Sequence, residues 1–216
     1  GSGGSADHFQ KHGLTAPEDL EKIRARSNYY SNMVPGVPRQ YRRILDGELI
    51  SIGGHDWQVI MGYGHAPEHA SLFCKDLNIL ISGDMLLPRI STNVSVYDAD
   101  PDADPLGLYL QSLKKYLPLP DNALVLPSHG KPFIGIKPRV AQLNAHHDER
   151  LADALKACQK PTTARELVPV LFKRELDIHQ LTFAMGEAIA HLNYLLRQGK
   201  LDRRLCEDGV LRFSVI

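Results

Sequence analysis

Short apolar runs separated by turn residues occupy the first half of the chain, and longer runs with helical spacing occupy the second half. From Glu48 to Met61, apolar residues flank a Gly53-Gly54 turn, which predicts a β-hairpin. Further short apolar runs predict three more strands, at residues 71–74, 77–81 and 124–126. Strands followed by helices in this order indicate an α/β body with a smaller helical part.

Two helices are predicted before residue 120. Thr15 and Glu18 have the spacing of a capping box, which predicts a helix that begins there and includes Tyr29-Tyr30. Asp104-Pro105 begins the second helix, which is expected to cover one side of the sheet. Its leucines recur at spacings of four, three and four residues, as Leu106, Leu110, Leu113 and Leu117. The glycine-serine stretch at residues 1–5 is interpreted as a linker or tag scar outside the fold.

The last third of the chain is mainly helical. One helix is predicted from Pro138 to Cys158, a second begins at a Thr163–Glu166 capping box, and a third runs through Met185 to Leu196. Two short strand-like pieces follow, around Glu207-Asp208-Gly209. Three helices and a β-wing predict a winged-helix-like module over residues 138–216.

Three polar side chains that are able to bind metal ions each follow an apolar, strand-like run. His65 lies in Gly-His-Ala-Pro-Glu-His, Asp84 in Ser-Gly-Asp, and His129 in Leu-Pro-Ser-His-Gly. Imidazole and carboxylate are ligands that a zinc or mixed-metal site uses, and a strand end holds a ligand more rigidly than a free loop does. Three ligands, however, fill only one incomplete coordination shell.

These motifs resemble those of the metallo-β-lactamase superfamily of binuclear hydrolases, and in particular its glyoxalase II-like branch, over residues 45 to 216. The resemblance implies that His65 is a ligand of one metal, Asp84 the bridging and catalytic carboxylate, and His129 a ligand of the second metal. It also implies a truncated αββα sandwich, here residues 6–137, followed by the winged-helix-like module at 138–216.

The family's most specific motif, His-x-His-x-Asp-His, is missing from this sequence. No His-x-His occurs, and the one Asp-His pair, Asp7-His8, has an unrelated context. Four upstream ligand or catalytic positions are therefore absent. We expect the chain to correspond to the C-terminal portion of such an enzyme.

Four further side chains are candidates for supporting roles. His69 is interpreted as a supporting or packing residue, with a ligand role as the alternative. His147 lies on the apolar stripe of its helix, which favours a core histidine, with an auxiliary ligand or substrate contact as the alternative. Arg89 and Lys131 follow the Asp84 and His129 motifs closely, so they are candidates to bind an anionic substrate or are ordinary surface charges.

The resemblance predicts a metal-dependent hydrolase that uses one or two divalent ions. Zinc is the expected metal, with manganese or iron as alternatives, and a bound ion of this kind lowers the pKa of water toward ~7. Phosphodiesters, cyclic nucleotides among them, are the first choice of substrate because Arg89 and Lys131 suit phosphate. The alternatives are thioester or lactone hydrolysis, or a non-catalytic binding or regulatory remnant of such an enzyme.

The composition and charge of the chain limit the kinds of partner and the cell compartment that we expect for it. The formal net charge is zero and the pI is about 7.3, so no overall field favours nucleic acid or an anionic membrane. Three unpatterned cysteines and no apolar run near ~20 residues predict a reduced, cytoplasmic protein. Only Arg197 and Lys200 lie near the end of the third helix of the module, so DNA binding is not expected.

The missing half also predicts self-association. In the family's four-layer fold two sheets pack face to face, so removal of one sheet uncovers apolar area on the other. Uncovering ~600 Å² costs about 15 kcal/mol at ~25 cal/mol/Å², which exceeds the net stability of a typical domain. We therefore predict a homodimer in which exposed sheet faces or opening helices cover each other, with exchanged segments as one variant.

Overall fold

The structure, a computed structural model, describes residues 2–26, 34 and 36–216. They fold into two compact units, each of which is assembled from separate stretches of the chain. The sheet unit comprises Arg42–Val94 and Pro105–Glu149. The helical unit comprises Gly1–Tyr41, Ser95–Asp104 and Arg150–Ile216 as far as these are described.

Five strands form the sheet of the sheet unit, and in chain order they are residues 49–52 (β1), 55–62 (β2), 69–74 (β3), 79–83 (β4) and 124–127 (β5). Their order in the sheet is the same as their order in the chain. The first three pairings are antiparallel and the pairing of β4 with β5 is parallel. β2, β4 and β5 therefore run in the same direction and end at the same edge of the sheet. All the strands expected from the sequence are confirmed, as β1 (Leu49–Ile52), β2 (His55–Gly62), β3 (His69–Cys74), β4 (Ile79–Gly83) and β5 (Leu124–Pro127).

One face of this sheet is covered by α3 (Pro105–Leu113) and the 3₁₀ turn Lys114–Tyr116 that follows it. The Tyr116 hydroxyl lies 2.8 Å from the hydroxyl of Ser71 on β3, and both side chains are buried. The predicted helix is confirmed, but Leu117 does not belong to its buried stripe and is 41% exposed. The tighter 3₁₀ turn has three residues per turn, so it changes the phase of the side chains after Leu113.

The opposite face of the sheet is apolar and partly open to solvent. Residues that pair directly across neighbouring strands project to the same face. On this face Ile52 is 50% exposed, Ile81 39% and Leu124 38%. Two cross-strand rows lie there, Trp57–Cys74–Ile79–Leu124 and Val59–Leu72–Ile81–Leu126.

The helical unit contains the chain's first two helices and its last elements. The first helix, α1 (Ser2–Lys11), includes residues 2–5, and the interpretation of these residues as a linker or tag scar stays a prediction. β6 and β7 pair as the antiparallel hairpin expected around Asp208. The elements are α1 (Ser2–Lys11), α2 (Pro17–Arg24), α5 (Ala164–Leu171), α6 (Ile178–Arg197), β6 (Leu201–Leu205) and β7 (Leu211–Val215).

Helix caps were predicted with mixed success. The Thr163–Glu166 capping box of α5 is confirmed. The box expected at Thr15 is wrong, because α2 begins at Pro17 with Ala16 as its N-cap and no side-chain cap bond. The fixed φ of proline suits the first helical position. The helix therefore begins at Pro17, one residue later than a cap at Thr15 would require. Tyr29 and Tyr30 lie outside the described residues.

α4 (Ile136–Ala157) corresponds to the helix predicted from Pro138 to Cys158. The two compact units divide after Glu149, within α4. The domain boundary expected between residues 137 and 138 stays a prediction. Across the described part of the chain, no helix is both long and apolar enough to cross a membrane.

The open sheet face keeps the homodimer prediction testable. Replacing Ile81 by lysine puts a charge on this face, so we expect Ile81→Lys to convert a dimer into a monomer in light scattering at micromolar concentration. Ser51→Lys is the matched control, since exposed Ser51 projects from the other face of edge strand β1. A compact monomer of the unmodified chain at the same concentration contradicts the prediction.

Candidate metal centre

The three predicted ligands meet at the edge where β2, β4 and β5 end. His65 follows β2, Asp84 directly follows β4, and His129 follows β5 after one intervening residue. The His65 Nε2 atom lies 3.5 Å from Asp84 Oδ2, and His129 Nε2 lies 3.4 Å from Asp84 Oδ1. The shared direction of these strands thus brings together side chains that are up to 64 positions apart in sequence (129 − 65).

These separations suit donors that share a cation better than they suit a tight ion pair. Charge-assisted N–H···O bonds are usually ~2.7–2.9 Å long. Two donors bound at ~2.0–2.1 Å to a tetrahedral zinc ion lie roughly 3.3 Å apart. Each imidazole–carboxylate pair therefore has the donor chemistry and the spacing of two neighbouring metal ligands.

The ligand set is nevertheless incomplete for a closed site. Within the described residues, no group of three or more His, Cys, Asp and Glu side chains has an arrangement that holds a metal ion by itself. His65 and His129 face different oxygens of Asp84, so each forms its own pair with that carboxylate. The residues fit a metal in part, as two incomplete ligand pairs that share one carboxylate.

The orientation of His65 supports this interpretation. Its Nδ1 lies 2.9 Å from the carbonyl oxygen of Asn93, which only accepts hydrogen bonds, so Nδ1 carries the proton. In the neutral ring, Nε2 then presents a lone pair toward the Asp84 carboxylate. Two acceptors that face each other are stabilised by a cation between them, and a backbone carbonyl is a usual second partner of a metal-binding histidine.

Gly64 sets the position of His65. Its φ is +98°, a left-handed conformation that favours glycine. A Cβ atom there would collide with the Pro105 carbonyl oxygen and come within 2.7 Å of the Tyr109 backbone nitrogen. The loop after β2 therefore packs directly against the first turn of α3.

His69, the first residue of β3, helps to hold the backbone of Asp84 in place. Its Nε2 accepts a hydrogen bond of 3.1 Å from the Asp84 backbone N–H. Burial lowers the pKa of His69 below its usual value, and the nearby His65 lowers it further. The ring is therefore kept neutral and able to accept this hydrogen bond. Gly83 leaves the space for this ring, because a Cβ at Gly83 would fall 2.6 Å from His69 Nε2.

A second support reaches Asp84 from α3. The buried Thr92 hydroxyl donates a hydrogen bond to the Asp84 carbonyl oxygen, and the Tyr109 hydroxyl lies 3.2 Å from Thr92 Oγ1. His147 is fully buried and its ring packs edge-on against Tyr109, with 5.7 Å between centroids. His147 therefore lies in the core beside Tyr109, and its auxiliary role stays a prediction.

Arg89 and Lys131 lie in the wall of a groove of about 550 Å³. His129 lines the same groove, so both cations are placed next to the centre. Both side chains are exposed. The structure brings them to one site, and their role in binding a substrate stays a prediction.

Three supporting residues had no signal in the sequence: Thr92, Asn93 and Tyr109. Thr92 and Asn93 belong to a loop without strand or helix periodicity. Tyr109 lies between the leucines of a helical stripe, a position typical of a core residue. Their partners are 8 to 28 positions away in sequence, so only the folded chain reveals them.

The family is shown by two matches along the chain. Residues 1–129 match the model of the metallo-beta-lactamase superfamily, and residues 151–216 match that of the metallo-beta-lactamase-like C-terminal domain. The chain therefore belongs to the metallo-beta-lactamase superfamily, whose members are mostly hydrolases and typically bind divalent metals such as zinc. Assignment to the glyoxalase II-like branch stays a prediction.

Solved structures agree with the fold. A beta-lactamase domain protein from Burkholderia ambifaria is 53% identical, with a TM-score of 0.95, over 100% of this chain and 62% of that one. The metallo-beta-lactamase family protein TTHA1429 from Thermus thermophilus is 30% identical, with a TM-score of 0.78, over 98% of this chain and 64% of that one.

Among curated proteins, the probable metallo-hydrolase YqjP of Bacillus subtilis (strain 168) is 29% identical over 152 residues, which are 66% of this chain and 46% of that protein. The atrochrysone carboxyl ACP thioesterase AgnL7 of Paecilomyces divaricatus is 24% identical over 183 residues, which are 81% of this chain and 52% of that protein. The chain thus spans about half the length of these relatives.

Removal of the shared carboxylate tests the centre. We expect Asp84→Asn to weaken zinc binding by more than ~100-fold, because the amide has no charge and supplies one poor donor where two carboxylate oxygens face the imidazoles. Metal analysis after equilibrium dialysis measures the effect. Asp76→Asn, in the exposed turn between β3 and β4, is the control. Equal zinc content in all three proteins would contradict the assignment.

The packing of Gly83 against His69 gives a test of folding. Gly83→Ala and Gly53→Ala both put alanine at a positive φ, +54° and +62° respectively, at roughly 1–2 kcal/mol each. Only Gly83 has a neighbour, the His69 ring, since nothing lies within 4 Å of a Cβ at Gly53. We expect Gly83→Ala to lower the free energy of unfolding by ~1 kcal/mol more than Gly53→Ala. Equal losses of unfolding free energy in denaturant titrations would contradict this prediction, because they would show that the His69 ring moves aside at no cost.

Proposed function

We propose that this chain carries the catalytic centre of a metal-dependent hydrolase that cleaves an anionic ester. The observation that supports this most is the contact of one carboxylate, Asp84, with two imidazoles, His65 and His129. A bound divalent ion supplies an activated water and polarises the bond under attack. Asp84 would hold such an ion together with His65 or with His129.

The residues of the chain keep this centre ready for binding. The Asn93 carbonyl fixes the tautomer of His65, while His69 and Thr92 hold the backbone on both sides of the Asp84 side chain. Such fixed geometry lowers the cost of reorganisation during the reaction. Asp84 takes the catalytic role because its carboxylate contacts both imidazoles, and its side chain is 25% exposed, open to a small substrate.

Phosphodiester hydrolysis is the first candidate reaction. Arg89 and Lys131 share a groove with His129, so a substrate at His129 meets two positive charges. A phosphodiester carries its negative charge on the group that reacts, where these cations stabilise additional charge in the transition state. The groove and the ligand pairs support this choice together.

Thioester hydrolysis is the second candidate. Two similar proteins, 24% identical each, are named atrochrysone carboxyl ACP thioesterases. The same ligands and cations serve a thioester whose carrier portion is anionic. The non-catalytic alternative, a binding or regulatory remnant, predicts that no metal binds at Asp84.

DNA binding through the C-terminal hairpin has little support. Three arginines of β6 and β7 each contact an aspartate within the helical unit, at 2.6–2.9 Å. Pairing of this kind reduces the positive charge that phosphate contacts require. The pairs are Arg203–Asp102, Arg204–Asp202 and Arg212–Asp208.

Hydrolysis of a matched substrate pair tests the proposal. We expect the zinc-loaded protein to cleave bis(para-nitrophenyl) phosphate faster than an acyl thioester with an anionic carrier portion, and to lose this activity after chelation and in Asp84→Asn. Arg89→Gln and Lys131→Gln are each expected to raise KM about tenfold, the loss of one charge-assisted contact. Lys75→Gln, in the turn between β3 and β4, is the control.

Two outcomes of this experiment decide between the alternatives. Equal rates for metal-free and metal-loaded protein would contradict the metal mechanism. Metal-dependent cleavage of the thioester alone would replace the phosphodiester assignment by the second candidate.

A further inference from the structure

Two loops of the sheet unit form the groove beside His129. The first follows Asp84 and contributes Pro88, Arg89 and Ile90. The second follows β5 and contributes residues 129–133. At about 550 Å³ the groove lies within the ~300–1,000 Å³ range of small-molecule sites.

Each loop is tied to the framework, so the groove is a built feature. The guanidinium of Arg139 on α4 donates hydrogen bonds of 2.6 Å and 2.8 Å to the carbonyl oxygens of Leu87 and Ile90. The second loop is held by a β-bridge, in which the backbones of Val125 and Phe133 exchange hydrogen bonds of 2.8 Å and 3.1 Å.

The two loops also pack against each other. Gly130 has a φ of +87°, and a Cβ on it would lie 2.7 Å from Pro88 Cγ. Glycine at this position therefore permits the close approach of the second loop to the first. The walls of the groove are fixed relative to His129, which lies on the same loop as Gly130.

The groove combines apolar walls with positive charge. Pro88, Ile90, Pro132 and Phe133 supply hydrocarbon, whereas Arg89 and Lys131 supply cations. Ile90 is 59% exposed, so a hydrocarbon chain bound in the groove would remove apolar area of this side chain from water. A substrate that carries charge but no hydrocarbon would contact the two cations and leave the apolar walls uncovered.

We propose that the groove binds the hydrocarbon chain of an amphiphilic anionic ester, with Arg89 and Lys131 on its charged group and the scissile bond at His129. This inference rests on the proposed function and adds a substrate class to it, esters that carry an alkyl or acyl chain. Each methylene that leaves water strengthens binding by about fourfold.

Binding to the metal-free protein separates this inference from catalysis. Calorimetry with butyl, hexyl and octyl phosphate on chelator-treated protein is expected to show affinity rising by about fifteenfold for every two methylenes. Ile90→Ser should flatten the series, with the largest loss of affinity for octyl phosphate and the smallest for butyl phosphate. The double variant Arg89→Gln, Lys131→Gln should weaken all three ligands to a similar degree.

Ile134→Ser is the matched control, because Ile134 is 64% exposed, follows Phe133 directly and does not line the groove. It should keep the full chain-length dependence. A flat series in the unmodified protein, or loss of the dependence in Ile134→Ser, would overturn the inference. A flat series together with metal-dependent hydrolysis leaves the proposed function standing, whereas a steep series without hydrolysis overturns only the proposed function.

Discussion

The parallel pairing of β4 with β5 is the constraint on which the centre depends. Two antiparallel pairings, β2 with β3 and β3 with β4, give β2 the direction of β4, and the parallel pairing gives β5 the same direction. Asp84 and His129 therefore leave the sheet side by side, and His65 leaves it at the same edge. A reversal of β5 would carry His129 to the far edge and remove one of the two imidazole–carboxylate pairs.

The sheet connects this centre to two other properties of the chain. Its covered face packs on α3, which carries Tyr109 and so helps to fix the Asp84 loop through Thr92. Its other face presents half-exposed isoleucine and leucine side chains. The loops at the ligand edge form the groove of Arg89 and Lys131. The candidate metal ligands, the apolar face and the groove thus all depend on one strand arrangement.

The sequence predicted the features that depend on local pattern. Apolar runs with turn residues between them located all five strands, and ligands at strand ends identified His65, Asp84 and His129 as candidates. Leu117 was misplaced because a 3₁₀ turn, which periodicity does not detect, ends α3. The roles of Asn93, Thr92 and Arg139 could not be predicted from the sequence, because each depends on a hydrogen bond to a backbone carbonyl oxygen whose position is set by the tertiary fold.

The central claim is that Asp84 shares a bound metal ion with His65 or with His129 at the edge of the sheet. Anomalous X-ray diffraction from crystals grown with zinc tests this claim most directly. We expect an anomalous peak roughly 2.0–2.2 Å from an Asp84 oxygen and from the Nε2 atom of His65 or His129. Ordered zinc bound elsewhere, with no peak beside Asp84, would contradict it.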